Sequence, residues 1–348
     1  MAERSNPVRL LVTGGCGFIG SNFCRYVLQH REDWSVVNLD KLSYAGNPEN
    51  LAEFEGHPRY RFHKGDAADA ACVDQLMSQG VDVVVNFASE THVDRSIAGP
   101  TEVWRNNVLL AETLLSAAHR RGAARFVQIG TDEVYGSLGP DGRFTETSPL
   151  HPNNPYSASK AAGDLLALAC HHTYGLPVII VRSGNNYGPY QFPEKLIPLF
   201  ITHAIQEKPL PLYGDGLYVR DWVYVEDFCR AVEAVIEKGV AGQVYNVGGE
   251  SERTNLDIAR IILDIVGRTH YLIAHIKDRP GHDRRYANDF TKISTELGWK
   301  PRVALAEGLK RTVEWYQANR EWWERIQSGE YREYYRKHYV ERHGLKPE

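Results

Sequence analysis

The sequence predicts an α/β protein: a doubly wound parallel sheet with a smaller lobe added toward the C-terminus. Three observations carry this. Apolar runs rich in Val, Ile and Leu recur at residues 8–12, 36–39, 83–87, 126–129 and 178–181. Helix-like segments separate them at the spacing of successive strand–helix units. Beyond about residue 187 the pattern breaks into loops punctuated by Pro189, Pro193, Pro198, Pro209 and Pro211, then shorter elements that suggest a second lobe on the rim of the sheet.

The first run leads into VRLLVTGGCGFIGSNF, which reads as strand, glycine turn, helix. Gly14 permits the tight turn, Gly17 lets the backbone approach a pyrophosphate and Gly20 lets the helix pack on the strand. The helix N-terminus supplies N–H donors to the anion. The spacing is GxxGxxG rather than GxGxxG. The second run ends in Asp40, about twenty residues past the last glycine, where an acid accepts hydrogen bonds from an adenosine ribose. A carboxylate there repels a 2′-phosphate, so NAD is expected over NADP, and the sheet is expected to be of the Rossmann type.

The third and fourth runs end at residues 87–91 and at Thr131-Asp132-Glu133, the strand ends where functional groups gather in such sheets. Residues 108–119 (VLLAETLLSAAH) and 158–174 read as helices with continuous apolar stripes. Tyr156 and Lys160 are one helical turn apart and so share a face. A lysine ammonium beside a phenol favours the phenolate, which is then able to take a proton from a substrate hydroxyl. Simple alcohol oxidation does not need the two acids Asp132 and Glu133, so the set points to oxidation coupled to elimination. The tail at residues 304–343 reads as helical; its Trp315, Trp322, Trp323, Tyr331, Tyr334, Tyr335 and Tyr339 are expected to be core and packing surface.

Composition agrees. A chain of 348 residues, 43% hydrophobic, supports one large domain or two unequal ones. The expected division is residues 1–185 for the NAD-binding part and 186–348 predominantly for substrate, with some elements returning to the main sheet. No stretch approaches the roughly eighteen apolar residues of a membrane span, and MAERSNP lacks a signal-peptide profile, so no membrane association and a cytoplasmic location are expected. The five cysteines, Cys16, Cys24, Cys72, Cys170 and Cys229, lack zinc spacing and are expected to be buried thiols. A net charge of −4 with interspersed signs argues against nucleic acid. HExxH and similar patterns are absent, His171-His172 reads as helix surface, and no metal is expected.

Taken together, TGGCGFIGSNF, LDKLSYAGN, ASETHVDRSI, TDEVYG, YSASKAAGD, NNYGPYQFPEKLIP, GDGLYVRDWVYVEDF and DRPGHDRRY resemble the extended short-chain dehydrogenase/reductase superfamily and, within it, the dTDP-glucose 4,6-dehydratases. The resemblance runs from about residue 8 to 315. The glycine triplet and YxxxK are shared with nucleotide-sugar 4-epimerases. TDEVYG is the discriminating motif, since an epimerase carries Ser or Thr at the position of Thr131 without the acid pair behind it.

The resemblance implies that Tyr156 is the base at the sugar 4-hydroxyl, with Lys160 as its electrostatic partner and a ribose ligand, and that Thr131 holds the sugar oxygen. It implies oxidation at C4 by NAD, removal of the C5 proton by Glu133, protonation of the departing 6-hydroxyl by Asp132, and reduction at C6. The two acids then need opposite protonation states. For the cofactor it implies Phe18 and Ile19 at the pyrophosphate turn, Asp40, Lys41, Leu42 and Ser43 at the ribose, and Asp66 and Ala67 near the adenine. Phe87, Ala88 and Ser89 fall beneath the nucleotide; Asn106, where the family often has threonine, and Asn186 complete the set.

For a nucleotide-diphosphate sugar, the resemblance implies Thr91, Asn185, Lys195, Leu196, Pro211, Leu212, Tyr213, Arg220, Asn255 and His282. Arg220 suits a diphosphate, Arg279 and Lys195 add charge, and Tyr213 suits stacking on a pyrimidine. ASET replaces the family's usual AAES, placing Ser89 for an alanine and Thr91 for a serine. A homodimer built as a four-helix bundle from the 108–119 and 158–174 helices is also implied. The alternatives kept open are a nucleotide-sugar 4-epimerase, a 4,6-dehydratase of another sugar nucleotide, and a noncatalytic NAD-binding regulator.

Overall fold

The computed structural model describes residues 7–328, 330–342 and 345. Residues 1–6 and His343, which belong to the N-terminal and tail expectations, lie outside the described residues, as does the side chain of Tyr331. The chain alternates β1 (Val8–Thr13), α1 (Phe18–His30), β2 (Trp34–Asp40), β3 (Tyr60–Lys64), α2 (Ala70–Met77), β4 (Val83–Asn86), α3 (Val93–Ala98), α4 (Pro100–Arg121), β5 (Arg125–Thr131), α5 (Pro155–Tyr174) and β6 (Val178–Ser183). Then come β7 (Asn185–Tyr187), α6 (Leu196–Gln206), β8 (Leu210–Tyr213), β9 (Val219–Tyr224), α7 (Val225–Lys238), β10 (Val244–Val247), β11 (Glu252–Thr254), α8 (Asn255–Val266), β12 (Ile273–Ile276), α9 (Thr291–Leu297), α10 (Leu305–Ala318), α11 (Arg320–Ile326) and α12 (Glu330–Tyr335).

Seven parallel strands form the main sheet in the order β10-β6-β5-β4-β1-β2-β3. Side chains alternate across it. Leu10, Val12, Val83, Val85, Val127 and Ile129 pack on one face with Phe23, Val27 and Phe228. Leu11, Val84, Phe126, Val178 and Ile180 pack on the other with Leu76, Leu114 and Ala167. Because both faces are covered, these strands read as unbroken apolar runs rather than alternating ones. Each fully buried Phe or Leu contributes roughly 1.5–3 kcal/mol.

The two edge strands differ. In β3 (YRFHK) every residue is half-buried or exposed, so its composition is that of a solvated edge. At the other edge, β10 arrives from far along the chain and pairs with β6 from Val244 opposite Ile180. The remaining strands form a β11-β9-β7 sheet and a β12-β8 pair, packed with α6, α8 and α10 around a separate core that includes Phe200, Leu263, Tyr316 and Trp323. Trp322 and Trp323 are buried there, so the aromatic tail is packing surface.

β1 lies between β2 and β4, so the connections leave it in opposite directions and a crevice opens at the strand ends there. No helix among the described residues is long and apolar enough to cross a membrane. The cysteines are all free, but the expectation of burial is corrected for two: Cys72 and Cys170 sit on partly exposed helix faces and are only half-buried.

Candidate active site

A cavity of about 280 Å³ occupies the crevice and draws its walls from the ends of β1, β2, β4, β5 and β6. At its floor Gly14 turns with φ +69°, and a Cβ there would stand 2.7 Å from the backbone nitrogen of Ala88. A Cβ on Gly20 would meet the Gly14 carbonyl at 2.3 Å, so α1 packs on the turn as closely as backbone allows. No side chain caps α1, whose N-cap is Gly17. That leaves first-turn N–H groups of Phe18 and Ile19 for an anion. Gly14, Gly17, Phe18, Ile19 and Gly20 all line the cavity.

Asp40 ends β2 and shapes the next wall. Cys16 N donates to its Oδ2 at 2.9 Å and Leu42 N to its Oδ1 at 2.8 Å, which fixes the loop carrying Lys41 and Ser43. Leu42 itself does not line the cavity; it turns the chain at φ 57°. Lys41 Nζ lies 3.9 Å from Asp66 and 3.7 Å from Glu90. Asp66, Ala67, Phe87, Ala88, Ser89, Thr91 and Asn106 extend the lining.

β5 delivers the reactive groups. Thr131 is its last residue, and its hydroxyl accepts from Glu133 N at 3.3 Å as the chain turns through a single 3-10 helical turn. Tyr156 and Lys160 face the same cavity from the first turns of α5. Burial drives the Lys160 pKa down to about 8 against the attraction of Asp164, and its Nζ donates to the Ile129 carbonyl at 2.6 Å. Burial raises the Tyr156 phenol well above its ordinary range, helped by Glu133 and opposed by a hydrogen bond with Thr131. The expectation that the lysine draws this phenol down is therefore corrected: burial and the carboxyls of Glu133, Asp132 and Asp164 set the direction in the protein alone.

The acid pair is split by its surroundings. Asp132 is 1% exposed, does not line the cavity, and has an Oδ2 without a protein partner. Burial, then Glu133 and Asp221, push its pKa far up, with Arg220 pulling the other way. Burial also raises Glu133, but Arg279, Arg220 and Lys195 oppose it. Both carboxyls are thus raised, Asp132 the further from its ordinary range, and Glu133 has three cations opposing the shift.

The residues expected at substrate divide into two groups. Thr91, Asn185 and Lys195 line the cavity, with Lys195 Nζ donating to the Thr91 carbonyl at 2.7 Å, and Asn186, expected at the cofactor, lines it beside them. Leu196, Pro211, Leu212, Tyr213, Arg220, Asn255, Arg279 and His282 lie outside its wall. Leu212 is in the core of the lobe at 1% exposure, since alternate residues of β8 turn inward. Arg279 stands 5.7 Å from the Tyr213 ring, and His282 meets that ring edge-on at 5.8 Å. Arg220 donates to the carbonyls of Val219 and Asp283, with its guanidinium 4.4 Å from the Tyr286 ring. Asn185 Oδ1, Asn255 Oδ1 and Arg279 Nε are buried without protein partners, as befits a polar ligand site.

Against this geometry, the family model for GDP-mannose 4,6 dehydratase matches residues 11–312. A dTDP-glucose 4,6-dehydratase from Streptomyces niveus is 52% identical, over 92% of this chain and 96% of its own. The same-named protein of Neisseria meningitidis serogroup B is 46% identical, over 93% of this chain and 97% of its own. This chain belongs to the dTDP-glucose 4,6-dehydratase family. A solved dTDP-glucose 4,6-dehydratase from Streptomyces venezuelae, with NAD bound, is 51% identical with a TM-score of 0.89, covering 92% of this chain and all (100%) of its own. A UDP-glucose 4-epimerase from Thermotoga maritima, solved with UDP-glucose, shares the architecture at 29% identity and a TM-score of 0.83, covering 89% and 99%. The fold is common to dehydratases and epimerases, so the fold alone does not separate the two chemistries.

Several residues around the site were not singled out from the sequence. Asn107 bridges Glu90 and Ser159, accepting from Glu90 N at 2.7 Å and donating to Ser159 Oγ at 2.8 Å. Thr13, Asn86 and Gln128 form a buried ladder across three strands. Asp164 accepts from Arg182 Nε at 2.8 Å behind Lys160. The available signal was polar residues inside apolar strand runs, as in VVVN, RFVQIG and VIIVRS, because a buried polar group requires a partner.

Proposed function

We propose that the protein dehydrates dTDP-glucose to dTDP-4-keto-6-deoxyglucose, with NAD as an internally recycled cofactor. The observation that carries this reading is the acid pair beside Tyr156 and Lys160: Asp132, fully buried and pushed far up, and Glu133, raised less freely because Arg279, Arg220 and Lys195 oppose the shift. The cofactor fits the cavity by its donor chemistry. Uncapped N–H groups at the start of α1 suit a pyrophosphate, and Asp40 suits a ribose diol. When bound, NAD supplies the hydride acceptor at C4 and the donor at C6.

Tyr156 removes the proton of the 4-hydroxyl, with Thr131 hydrogen-bonded beside it and the Lys160 charge stabilising the phenolate once substrate excludes water. The C4 ketone acidifies the C5 hydrogen, and Glu133 takes that proton. Asp132 gives its proton to the 6-hydroxyl, and water leaves across C5 and C6. Arg279, Lys195 and Arg220 offset the negative charge of a sugar nucleotide. In this reading residues 1–185 hold the cofactor and 186–348 predominantly the substrate, and the remaining residues named from the family pattern keep their assigned contacts. The partner is a second copy, met through the exposed Trp104 and Leu109 of α4 and Leu165 of α5, and the enzyme works in the cytoplasm.

Incubation with dTDP-glucose tests the reading: the expected product is a 4-keto sugar, detected by its absorbance in alkali. Formation of dTDP-galactose without ketone would establish an epimerase instead.

A further inference from the structure

Around the cofactor cavity, three segments distant in sequence converge on one guanidinium that the chemistry above does not use. Arg95, on α3, has its guanidinium carbon 4.0 Å from the ring centroid of Tyr44 and 4.3 Å from that of Tyr334. Its Nη2 and Nε donate to Glu194 Oε2 at 3.0 and 3.3 Å. Tyr44 and Glu194 both line the cavity, the first from the loop after β2 and the second from the segment before α6. Phe192, another lining residue, meets Tyr44 edge-on with centroids 5.6 Å apart. Tyr334 comes from α12, near the end of the chain, and packs edge-on against His92 at 5.6 Å.

We propose that Arg95 is a positioning residue that clasps Tyr44, Glu194 and Tyr334 together, closing the mouth of the cavity so that NAD stays bound between the two half-reactions. The inference rests on the NAD-dependent reading above and names the groups that make retention possible.

The physical argument has two parts. The Glu194 side chain is only 1% exposed, so without the Arg95 charge it loses a direct partner and is drawn toward water, which loosens the 191–195 segment. The Tyr44 loop is the same stretch that carries Asp40 and Ser43 on the cavity wall, so freeing its ring frees the side from which a ribose departs. Planar stacking on two rings and a two-nitrogen grip on one carboxylate are guanidinium properties that an ammonium does not reproduce. Tyr156 and Lys160 make no contact with the clasp, whereas Lys195, one of the cations around Glu133, lies in the loosened segment, so the clasp is read by cofactor exchange and not by turnover.

The test loads the purified protein with NAD, adds excess isotopically labelled NAD, and follows exchange by mass spectrometry. Arg95→Ala is expected to exchange about tenfold faster or more than the unmodified protein, and Arg95→Lys to fall between them. Tyr334→Ala speeds exchange, whereas Tyr334→Phe, which keeps the ring, does not. Circular dichroism and melting confirm that each variant is folded. A folded Arg95→Ala protein exchanging at the unmodified rate overturns the clasp. If that variant does not fold, Tyr334→Ala decides the matter in the same way. An unmodified protein that holds no NAD and takes none up overturns the functional reading itself, an outcome distinct from normal retention in the variants.

Discussion

Asp132 and Glu133 are neighbours in the chain, both raised by burial, but with different charges about them: Glu133 and Asp221 add to the shift of the first against Arg220 alone, while Arg279, Arg220 and Lys195 oppose that of the second. A carboxyl flanked by like charges keeps its proton, and one flanked by cations gives it up more readily. This difference in surroundings is the ground on which the acid role is proposed for Asp132 and the base role for Glu133.

Asp132→Asn and Glu133→Gln are therefore expected to retain NAD and much of the first oxidation while losing elimination. Each change should lower dehydration by about a hundredfold or more. Single-turnover absorbance of the reduced nicotinamide, set against 4-keto product formed, separates the two steps. Full turnover in either variant would remove the dehydratase assignment.

Lys160 provides a pH prediction with a definite sign. Its folded pKa is lowered from 10.5 to about 8, chiefly by burial. The unfolded chain then binds more protons between those values, so this group makes stability rise with pH across that window and contributes no slope below it. Fully developed, the difference is on the order of 3 kcal/mol. Urea unfolding of the protein and of Lys160→Met at several pH values checks it: the stability of Lys160→Met relative to the unmodified protein should be greatest below pH 8 and shrink toward pH 10.5. A pH-independent difference would show that the lysine is not desolvated as described.

The site was legible in the sequence where the backbone dictates the residue. The steric demand at Gly14, the strand-end position of Asp40 and the one-turn spacing of Tyr156 and Lys160 are local constraints, and each residue lines the cavity. The edge strand β3 was not legible, because Arg61, His63 and Lys64 interrupt its two aromatic residues and leave no apolar run. Nor was the Tyr156 shift, which depends on burial and on carboxyls brought near by folding. Arg95, Tyr44, Glu194 and Tyr334 meet only in three dimensions, and no spacing in the chain announces their contact.

The exposed face of α4 and α5 leads to a prediction about assembly. Trp104, Leu109 and Leu165 are 47%, 46% and 57% exposed, an apolar face that a second copy would cover. Light scattering at micromolar concentration is expected to give the dimer mass, and Leu109→Asp combined with Leu165→Asp to give the monomer. A monomer in the unmodified protein contradicts the proposed interface.

Cofactor choice should follow Asp40. Its carboxylate accepts from Cys16 N and Leu42 N on the wall where a ribose would lie and would repel a 2′-phosphate, while the neighbouring Lys41 is engaged with Asp66 and Glu90. Mass spectrometry of extracted nucleotide is expected to show NAD. Mainly NADP would refute the assignment.

The fate of the hydrogen at C4 tests the whole scheme. The hydride removed from C4 has to return at C6, so a cofactor that escaped midway would leave a keto-glucose behind and the enzyme in the wrong redox state. Contacts to NAD are proposed at five separate places, Phe18, Asp40, Asp66, Phe87 and Tyr156, and all five line one cavity. Substrate bound over the nicotinamide adds a further barrier to release. dTDP-glucose deuterated at C4 should accordingly give product with deuterium at C6, with no net accumulation of reduced cofactor and little need for added NAD. Hydrogen from solvent should appear at C5, because the proton taken by Glu133 exchanges before the carbon is reprotonated. Arg95→Ala supplies an internal contrast, since faster cofactor loss should divert part of the C4 deuterium into free nucleotide. If the unmodified protein released that deuterium as free reduced cofactor in every turnover, it would be an ordinary dehydrogenase, and the roles given to Asp132 and Glu133 would be wrong.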